Sequence, residues 1–254
     1  MIDLHRKSIV RREVWFDEPW SPDGADLMVF YHRSEAVNPA ASEPVHSLDI
    51  DLTQGEDSIW KNLTSTTRNL VNRARKEGLF CERWDSPSPG LIAEFLAFHR
   101  EFSLERGMHY AEPVWMYEYA AQGALALSRA CSPDSKPQAW HSYYKDERWV
   151  RLLHSVSLSS GDPEQRKVVG WANRLLHWAD ILDFRNQGIA YYDFGGWYAG
   201  STDEKLLGIN AFKEQFGGRK TLRYHSMQAV SLKGTLFLKA REYLKGQRNL
   251  VHFV

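Results

Sequence analysis

The sequence predicts an α/β or α+β fold in which helices flank a mixed sheet. From residue 91 onward, the hydrophobic patterns run helix, helix, strand, strand, helix, strand, helix, strand. Glycines mark the ends of predicted helices, at Gly78, Gly107 and Gly188. No internal repeat or low-complexity segment is present. The alternation of strands and helices towards the end of the chain therefore indicates a sheet covered on its faces by helices.

The composition is that of a folded protein without a strong overall charge. The chain has 254 residues, of which 43% are hydrophobic and 25% charged, and it contains 10 Trp. An aromatic content of 13% excludes disorder over most of the chain. Lys and Arg number 32 against 32 Asp and Glu. Because the charges balance, the protein has no overall positive electrostatic field that would attract nucleic acid, and we do not expect DNA as a partner.

Cysteine content and hydropathy limit the cofactor and the location. Two cysteines, Cys81 and Cys131, are too few for a disulfide framework or a four-thiolate zinc site. No metal-ligand spacing occurs, so we expect no metal cofactor. The first residues carry charge without a following apolar core, and charges interrupt every apolar stretch well before the ~18 residues that a membrane span needs. These features predict a cytoplasmic protein without a transmembrane segment.

The first part of the chain is predicted to contain strands and one basic helix. Residues 1–52 have the pattern of strands and turns, with an apolar, aromatic-rich strand over 26–32 and an alternating strand over 47–52. Apolar residues at helical spacing predict a helix over 56–78, and a strand over 80–84 follows. The sequence Pro-Ser-Pro-Gly over 87–90 is a sharp break. It predicts a boundary between a lobe of residues 1–86 and a lobe of residues 87–254.

The second part supplies the alternating elements. An amphipathic helix over 91–106 has Phe95, Phe98 and Phe102 on one side. A second helix is predicted from Pro113 to about residue 130. The remaining predicted elements are strands over 139–145 and 150–159, a helix over 172–186, a strand over 189–194, a helix over 204–216, a strand over 222–230 and a helix over 234–244.

Three segments in order carry a resemblance to a known family. In chain order they are TRNLVNRARKEG at 67–78, YYDFGG at 191–196 and GINAFKEQFGG at 208–218. Together they resemble the signatures of the FemABX-like acyltransferases, a branch of the GNAT superfamily. The resemblance covers roughly residues 48–230 and implies a GNAT-like N-acyltransferase fold. Because full-length FemABX enzymes commonly have two such lobes, it also implies that 1–86 is a reduced first lobe and 87–254 the catalytic lobe.

The strand end at 193–196 has the features of a site in its own right. Asp193 and two glycines lie where open α/β sheets commonly bind ligands, and glycine lets the backbone approach a ligand closely. Lys213 follows on the next helix among aromatic residues, where an ammonium group can stabilise an oxyanion or bind a phosphate. The resemblance implies that Phe212 and Lys213 line an acyl-transfer channel. The predicted substrate-binding residues here are Tyr192, Gly195, Gly196, Trp197, Phe212 and Phe216. Alternatively, the phenylalanines belong to the core, Lys213 is solvated and Asp193 caps a turn.

Two further basic segments are candidates for phosphate binding. The predicted helix over 56–78 presents Arg68, Asn69, Arg73 and Lys76, which can bind a diphosphate or form a solvated face. The segment RKVVGWA at 166–172 resembles a degraded GNAT pyrophosphate loop, in which backbone N–H groups at a helix N-terminus hold coenzyme A. That resemblance assigns Lys167, Gly170 and Ala172 to an acyl-CoA donor. A plain turn is the alternative for this segment.

The proton acceptor is predicted near the end of the helix over 91–106. Glu105 and His109 flank Gly107, and either can accept the proton of an attacking amine. Asp193 is a third candidate. His154, in a predicted strand, is more typical of a structural histidine.

The resemblance implies an N-acyltransferase whose acceptor is a small-molecule or carrier-linked primary amine. The preferred acceptor is an amino sugar on a nucleotide or lipid carrier in bacterial surface-polysaccharide or cell-envelope synthesis. Three alternatives stay open: an aminoacyl-tRNA-dependent transferase acting on a peptidoglycan precursor, an N-acyl amino acid synthase using acyl carrier protein, and a binding module without catalysis. The sequence leaves the oligomeric state open.

Overall fold

A computed structural model describes residues 1–6, 8–110 and 113–247. The chain divides into a smaller unit, Met1–Val45 with Leu222–Val254, and a larger unit, His46–Thr221. The boundary predicted at 86/87 falls inside the larger unit, and the two predicted lobes stay a prediction. No helix in these described stretches is long and apolar enough to cross a membrane.

Ten strands and seven α-helices make up the described residues. In chain order they are β1 (Ile2–Arg6), β2 (Ile9–Trp15), β3 (Leu27–Arg33), a 3₁₀ turn (Pro39–Ala41), β4 (Ser42–Asp51), α1 (Glu56–Asn62), α2 (Ser65–Lys76), β5 (Phe80–Trp84), α3 (Pro89–Glu105), α4 (Trp115–Ala121), β6 (Leu125–Cys131), β7 (Pro137–Lys145), β8 (Trp149–Ser157), α5 (Pro163–Asn186), β9 (Tyr191–Gly196), α6 (Glu204–Glu214), β10 (Arg219–Ala229) and α7 (Leu232–Gln247).

The smaller unit contains a small sheet and the last helix. β1 pairs antiparallel with β2, β2 pairs parallel with β3, and β3 pairs antiparallel with β10. Val14, Met28 and Phe30 are fully buried between these strands.

The larger unit is built on a mixed sheet with strand order β4-β9-β8-β7-β6-β5. Neighbouring strands are antiparallel except β8 and β9, which are parallel and joined through α5. A parallel pair needs a crossover of this kind. In the described residues, the register of β8 with β9 ends at the pair Arg151 and Asp193. The carboxyl ends of the two strands therefore lie beyond their last shared pair.

Side-chain alternation along β7 explains why helices cover both faces of this sheet. Tyr143 packs edge-on against Phe184 of α5, with ring centroids 5.0 Å apart. Trp140, on the opposite face, contacts Phe95 of α3 at 6.1 Å. Both β7 rings are buried. The predicted fold class, a mixed sheet flanked by helices, is therefore confirmed.

The predicted helix over 113–130 is wrong in its second half. α4 ends at Ala121, Gly123 adopts a φ of 71°, and residues 125–131 form strand β6 between β5 and β7. The segment has no β-branched residue that would mark it as a strand. Pairing on both edges and nearly complete burial decide its conformation instead.

Two helix boundaries also differ from the predictions. The helix predicted over 56–78 is two helices, because the Thr64 side chain accepts a hydrogen bond from Thr67 N at 3.2 Å and begins α2 afresh. The helix predicted from residue 172 starts instead at Pro163, where Asp162 caps it through Glu164 N at 3.1 Å. The segment 166–172 is therefore helical.

We predict that Gly218→Ala destabilises the larger unit by roughly 2 kcal/mol or more. Gly218 has a φ of 99°, and a Cβ there would lie 2.8 Å from the backbone oxygen of Asp49. Gly161→Ala is the matched control, because a Cβ there meets nothing within 4 Å. Urea unfolding measures both variants. Equal urea midpoints for Gly218→Ala and Gly161→Ala would contradict the prediction.

Candidate active site

The carboxylate of Asp193 organises the end of β9. Asp193 is fully buried, and its Oδ1 accepts hydrogen bonds from Ser47 Oγ and from Gly195 N, the latter at 2.7 Å. Its Oδ2 pairs with Arg151 Nη1 at 2.6 Å. Ser47 Oγ also lies 2.9 Å from the Gly195 carbonyl oxygen. Because these groups occupy both oxygens, the geometry favours a positioning role for Asp193 over the predicted role as proton acceptor.

The two glycines after Asp193 shape the turn that carries the site. Gly195 has a φ of 82°, and a Cβ there would lie 3.2 Å from Leu152 O. Such a conformation favours glycine. The exposed Gly196 presents its carbonyl oxygen to Lys213 Nζ at 2.6 Å. The turn thus fixes the position of the lysine.

Lys213 lies in the last turn of α6, half-buried over the end of β9. Burial lowers the pKa of its ammonium group to about 8, and the positive charge of Arg151 adds to this, while Asp193 opposes it. Within the described residues no carboxylate forms an ion pair with Lys213. Its charge therefore changes close to neutral pH, as expected of a group that takes part in chemistry.

The aromatic residues predicted around this site divide between the core and the surface. Phe216 is fully buried, and the Tyr192 hydroxyl is buried within 3.0 Å of Tyr143 Oη and 3.2 Å of His177 Nδ1. The side chains of Phe216 and Tyr192 therefore belong to the core, and this placement replaces their predicted direct contact with a substrate. Phe212 is half-buried, and its ring centroid lies 5.6 Å from that of His177. Only Phe212 of these three borders open space.

Trp197, like Phe212, packs against the edge of the hydrophobic core. Its side chain is half-buried, and Lys220 Nζ lies 4.1 Å from its ring centroid. It stays a predicted substrate contact.

An arginine-lined pocket of about 280 Å³ adjoins Phe212. It is formed by the end of β8, the following loop and α5, and its lining residues are Arg106, Ser157, Leu158, Ser159, Ser160, Arg166, Val169, Gly170, Asn173, Arg174 and Phe212. Three of these are arginines and none is acidic. Such a lining favours anionic ligands.

Arg174 is the most constrained of the three arginines. Its Nη1 donates to Gly170 O at 3.1 Å and its Nη2 to Gln215 Oε1 at 3.0 Å, while its Cζ lies 5.0 Å from the Phe212 ring centroid. Its Nε is buried without a hydrogen-bond partner, and burial lowers the pKa of the guanidinium. No carboxylate pairs with it in the described parts of the chain. An anionic oxygen in the pocket would supply the negative counter-charge that the Arg174 guanidinium lacks and a hydrogen-bond acceptor for it.

The segment predicted as a pyrophosphate loop needs correction. Its backbone N–H groups are used inside α5, as in the bond from Arg166 N to Asp162 O at 3.0 Å. Ala172 is buried in the core, and the exposed Lys167 pairs with Glu164 at 2.7 Å. Only Gly170 of the three predicted residues lines the pocket.

Sequence reasoning did not identify Arg151, Asn173 or Arg174, and it assigned no role of its own to Arg166, the first residue of the segment 166–172. One signal for Arg174 was available: it lies on a helix close to Ala172, Leu175 and Leu176, which are apolar neighbours for a charged residue. The ion pair of Arg151 with Asp193 depends on the parallel register of β8 and β9, which the sequence does not reveal.

The basic face of α2 is largely engaged in local contacts. Arg68 Nη1 donates to Leu63 O and, at 3.1 Å, to Lys61 O, which satisfies carbonyls at the end of α1. Arg73 pairs with Glu77 at 2.7 Å and lies over the Trp171 ring at 5.3 Å. Arg68 therefore has a structural role at the end of α1, and its contact with a diphosphate stays a prediction.

The remaining predicted residues are exposed and do not line the pocket. Asn69 and Lys76 lie on the exposed side of α2. Glu105 ends α3, a turn follows at 106–107, and His109 lies in the irregular segment after that turn. Their neighbour Arg106 is the residue of this turn that reaches the pocket.

Comparison with known proteins establishes the fold. The sequence matches no protein-family model and no curated protein. The structure is similar to that of FemX, with a TM-score of 0.61 and 12% identity over 85% of this chain and 74% of FemX.

Two further structures share this fold. One is the C-terminal DUF2156 domain of a putative lysylphosphatidylglycerol synthetase from Agrobacterium fabrum, with a TM-score of 0.55 and 16% identity over 86% of this chain and 72% of that domain. The other is L-PGS from Bacillus licheniformis, with a TM-score of 0.53 and 15% identity over 91% of this chain and 82% of that protein. At these identities the similarity concerns the fold alone, which this chain shares with FemX and with these two structures.

We predict that acid weakens the larger unit partly through His154. This histidine lies 2.8 Å from Ser142 Oγ, and burial, with a smaller effect of His99, lowers its pKa from 6.5 to about 3. Because the unfolded chain takes up this proton more readily than the folded one, the free energy of unfolding falls as pH drops from about 6.5 towards 3.

Urea unfolding at pH 7, 6, 5 and 4 measures the effect. The free energy of unfolding should depend less on pH in His154→Gln than in the wild type. In His109→Gln, at an exposed position, its dependence on pH should equal that of the wild type. Parallel profiles for His154→Gln and the wild type would exclude His154 as a source of acid sensitivity.

Proposed function

We propose that the protein is an acyltransferase that moves an acyl group onto a primary amine, with Lys213 as the group that stabilises the oxyanion. The observation that carries the proposal is the position of this lysine. It is half-buried, held by Gly196 O at 2.6 Å at the end of β9, and its pKa is lowered to about 8. A cation fixed in a partly desolvated site stabilises developing negative charge more strongly than a solvated lysine does.

The reaction forms one bond and breaks another. The amine nitrogen attacks the carbonyl carbon of a thioester or ester, and the carbonyl oxygen takes up negative charge that the Lys213 ammonium stabilises. The new C–N bond stays, while the C–S or C–O bond breaks and the thiolate or alkoxide leaves. The amine loses one proton to a base, for which Glu105 and His109 stay our candidates.

The arginine-lined pocket supports a donor that carries phosphate. Arg106, Arg166 and Arg174 offer N–H donors without an acidic residue in the lining, and the buried Nε of Arg174 lacks a partner. Acyl-CoA is the donor that we propose first, with these arginines binding its phosphates. Aminoacyl-tRNA carries phosphate too, and so does the phosphopantetheine of acyl carrier protein.

For the acceptor we propose an amine on a nucleotide- or lipid-linked amino sugar of the bacterial cell envelope. A second candidate is aminoacyl transfer from tRNA to a cell-envelope acceptor. The fold shared with FemX, with L-PGS and with the C-terminal domain of a putative lysylphosphatidylglycerol synthetase supports this candidate. A screen of acetyl-CoA, longer acyl-CoAs and aminoacyl-tRNA against amino-sugar nucleotides and lipid-linked precursors tests both. A protein that binds donors but transfers nothing would instead be a binding module.

We predict that Lys213→Ala lowers kcat about 100-fold or more, which is the usual effect of removing an oxyanion donor. Lys205→Ala, an exposed lysine on the same helix, is the matched control and should keep the wild-type rate. Steady-state rates with the donor found in the screen measure both. A kcat of Lys213→Ala within threefold of the wild type would rule out the proposed role.

The pH dependence of kcat identifies the active form of Lys213. If the ammonium stabilises the oxyanion, kcat falls as pH rises through about 8, since the proton is then lost. Lys213→Arg should remove this fall, because a guanidinium stays charged. A kcat that rises through the same range would instead make the neutral amine the active form and Lys213 a base.

We predict that Arg174→Met weakens donor binding by about tenfold or more, because a charged hydrogen bond contributes roughly 1.5–3 kcal/mol. Arg148→Met is the control, at an arginine outside the pocket lining. Isothermal titration with coenzyme A measures both dissociation constants. Equal affinities of Arg174→Met and the wild type would place the donor phosphates elsewhere.

A further inference from the structure

A buried polar network lies beneath the pocket and ends at one of its lining residues. Asn173, His177 and Asp180 recur on one face of α5 at helical spacing. That face meets His141 and Tyr143 of β7. The imidazole of His141 bridges two turns of the helix, with Nδ1 2.8 Å from Asp180 Oδ2 and Nε2 2.9 Å from Asn173 Oδ1.

The acid at the inner end of the network has three hydrogen-bond contacts at one of its carboxylate oxygens. Asp180 is 1% exposed, and its Oδ2 accepts from Ser128 Oγ at 3.0 Å and from Tyr143 Oη at 2.7 Å, in addition to His141. A buried carboxylate is costly unless it is paired. Its ring partner therefore donates from Nδ1.

The other ring nitrogen also faces an acceptor. His141 Nε2 lies 2.9 Å from the carbonyl oxygen of the Asn173 amide, and this contact is a hydrogen bond when Nε2 carries a proton. The ring of His177 lies 4.1 Å away by centroids and is neutral, because burial and then the charge of His141 hold its pKa well below its usual range. The network thus contains one buried contact between a histidine and a carboxylate.

This arrangement determines which side of the Asn173 amide faces the pocket. The Oδ1 side is held by His141, with Ser155 Oγ a further 3.5 Å contact. The Nδ2 side is then left towards the pocket, where Arg166 and Arg174 also present N–H groups. If His141 carried a proton on Nδ1 alone, the amide would have to turn and would present an acceptor that repels anions.

We propose that His141 and Asp180 are positioning residues that hold the Asn173 amide with its N–H side towards the arginine-lined pocket, so that the pocket selects ligands with anionic oxygens. Asn173 is then a specificity-determining residue for the phosphate-bearing donor. The inference rests on the proposed function only in the identity of the donor. Anion binding and the protonation of the His141 nitrogens are measurable without catalysis.

The protonation of the two His141 nitrogens is measured directly on the unmodified protein. A long-range ¹H–¹⁵N correlation spectrum of the ¹⁵N-labelled protein at pH 7 should show both His141 nitrogens with the shifts of protonated nitrogens. His154 is the internal control, since with a pKa of about 3 it is neutral and has one unprotonated nitrogen. An unprotonated His141 Nε2 would overturn the proposal.

The positioning role is tested by a cycle of variants with pyrophosphate as the probe. The pair His141→Phe with Asp180→Leu removes both charges together, which a core tolerates better than removal of one. We expect this variant and Asn173→Ala each to bind pyrophosphate about tenfold more weakly than the wild type. Ser142→Ala, which loses a buried hydrogen bond on the same strand, is the matched control and should bind as the wild type.

The decisive result is the combination of these variants. If His141 and Asp180 act through Asn173, adding Asn173→Ala to the paired variant causes no further loss. Losses that multiply, or a wild-type protein that does not bind pyrophosphate, would refute the proposal. Should the paired variant fail to fold, the charge of His141 in the wild-type spectrum decides. Absence of acyl transfer with every donor would refute the proposed function and leave this binding result standing.

Discussion

The carboxylate of Asp193 is the group on which the candidate site depends. It connects β4 through Ser47, β8 through Arg151 and the turn after β9 through Gly195 N. A fully buried carboxylate without these partners would be strongly destabilising. The Gly195 turn in turn presents Gly196 O to Lys213. One buried ion pair thus fixes a backbone turn, and the turn fixes the lysine.

Much of the fold could be predicted from the sequence, because local signals and tertiary structure agree there. The strand before Gly195 and Gly196, and the helix that carries Lys213, have clear boundaries in the chain. β6 could not be predicted, since its residues 125–131 have no strand propensity and take their conformation from the strands on either side. Its pairing is a long-range property that a local pattern does not contain.

The candidate site could be predicted only in part, for a related reason. Two motifs that lie close together in the chain contain Gly195, Gly196, Phe212 and Lys213. These residues also come together in the structure. Arg151 and Arg174 come from other elements and reach the site through strand register and helix rotation. Conversely, Tyr192 has the appearance of a ligand-binding residue in the sequence, yet its hydroxyl is satisfied inside the core. Residue type alone does not separate the two cases.

The positive charges around the site are distributed in a way that folding alone does not favour. Arg151 forms an ion pair with Asp193, and His141 Nδ1 lies 2.8 Å from the carboxylate of Asp180. Within the described residues Lys213 and Arg174 have no such partner, although burial lowers the pKa of both. Departures of this kind from the requirements of stability are typical of functional sites. An anionic ligand that lies between Lys213 and the pocket would complete the pattern of paired charges that the rest of this core already follows.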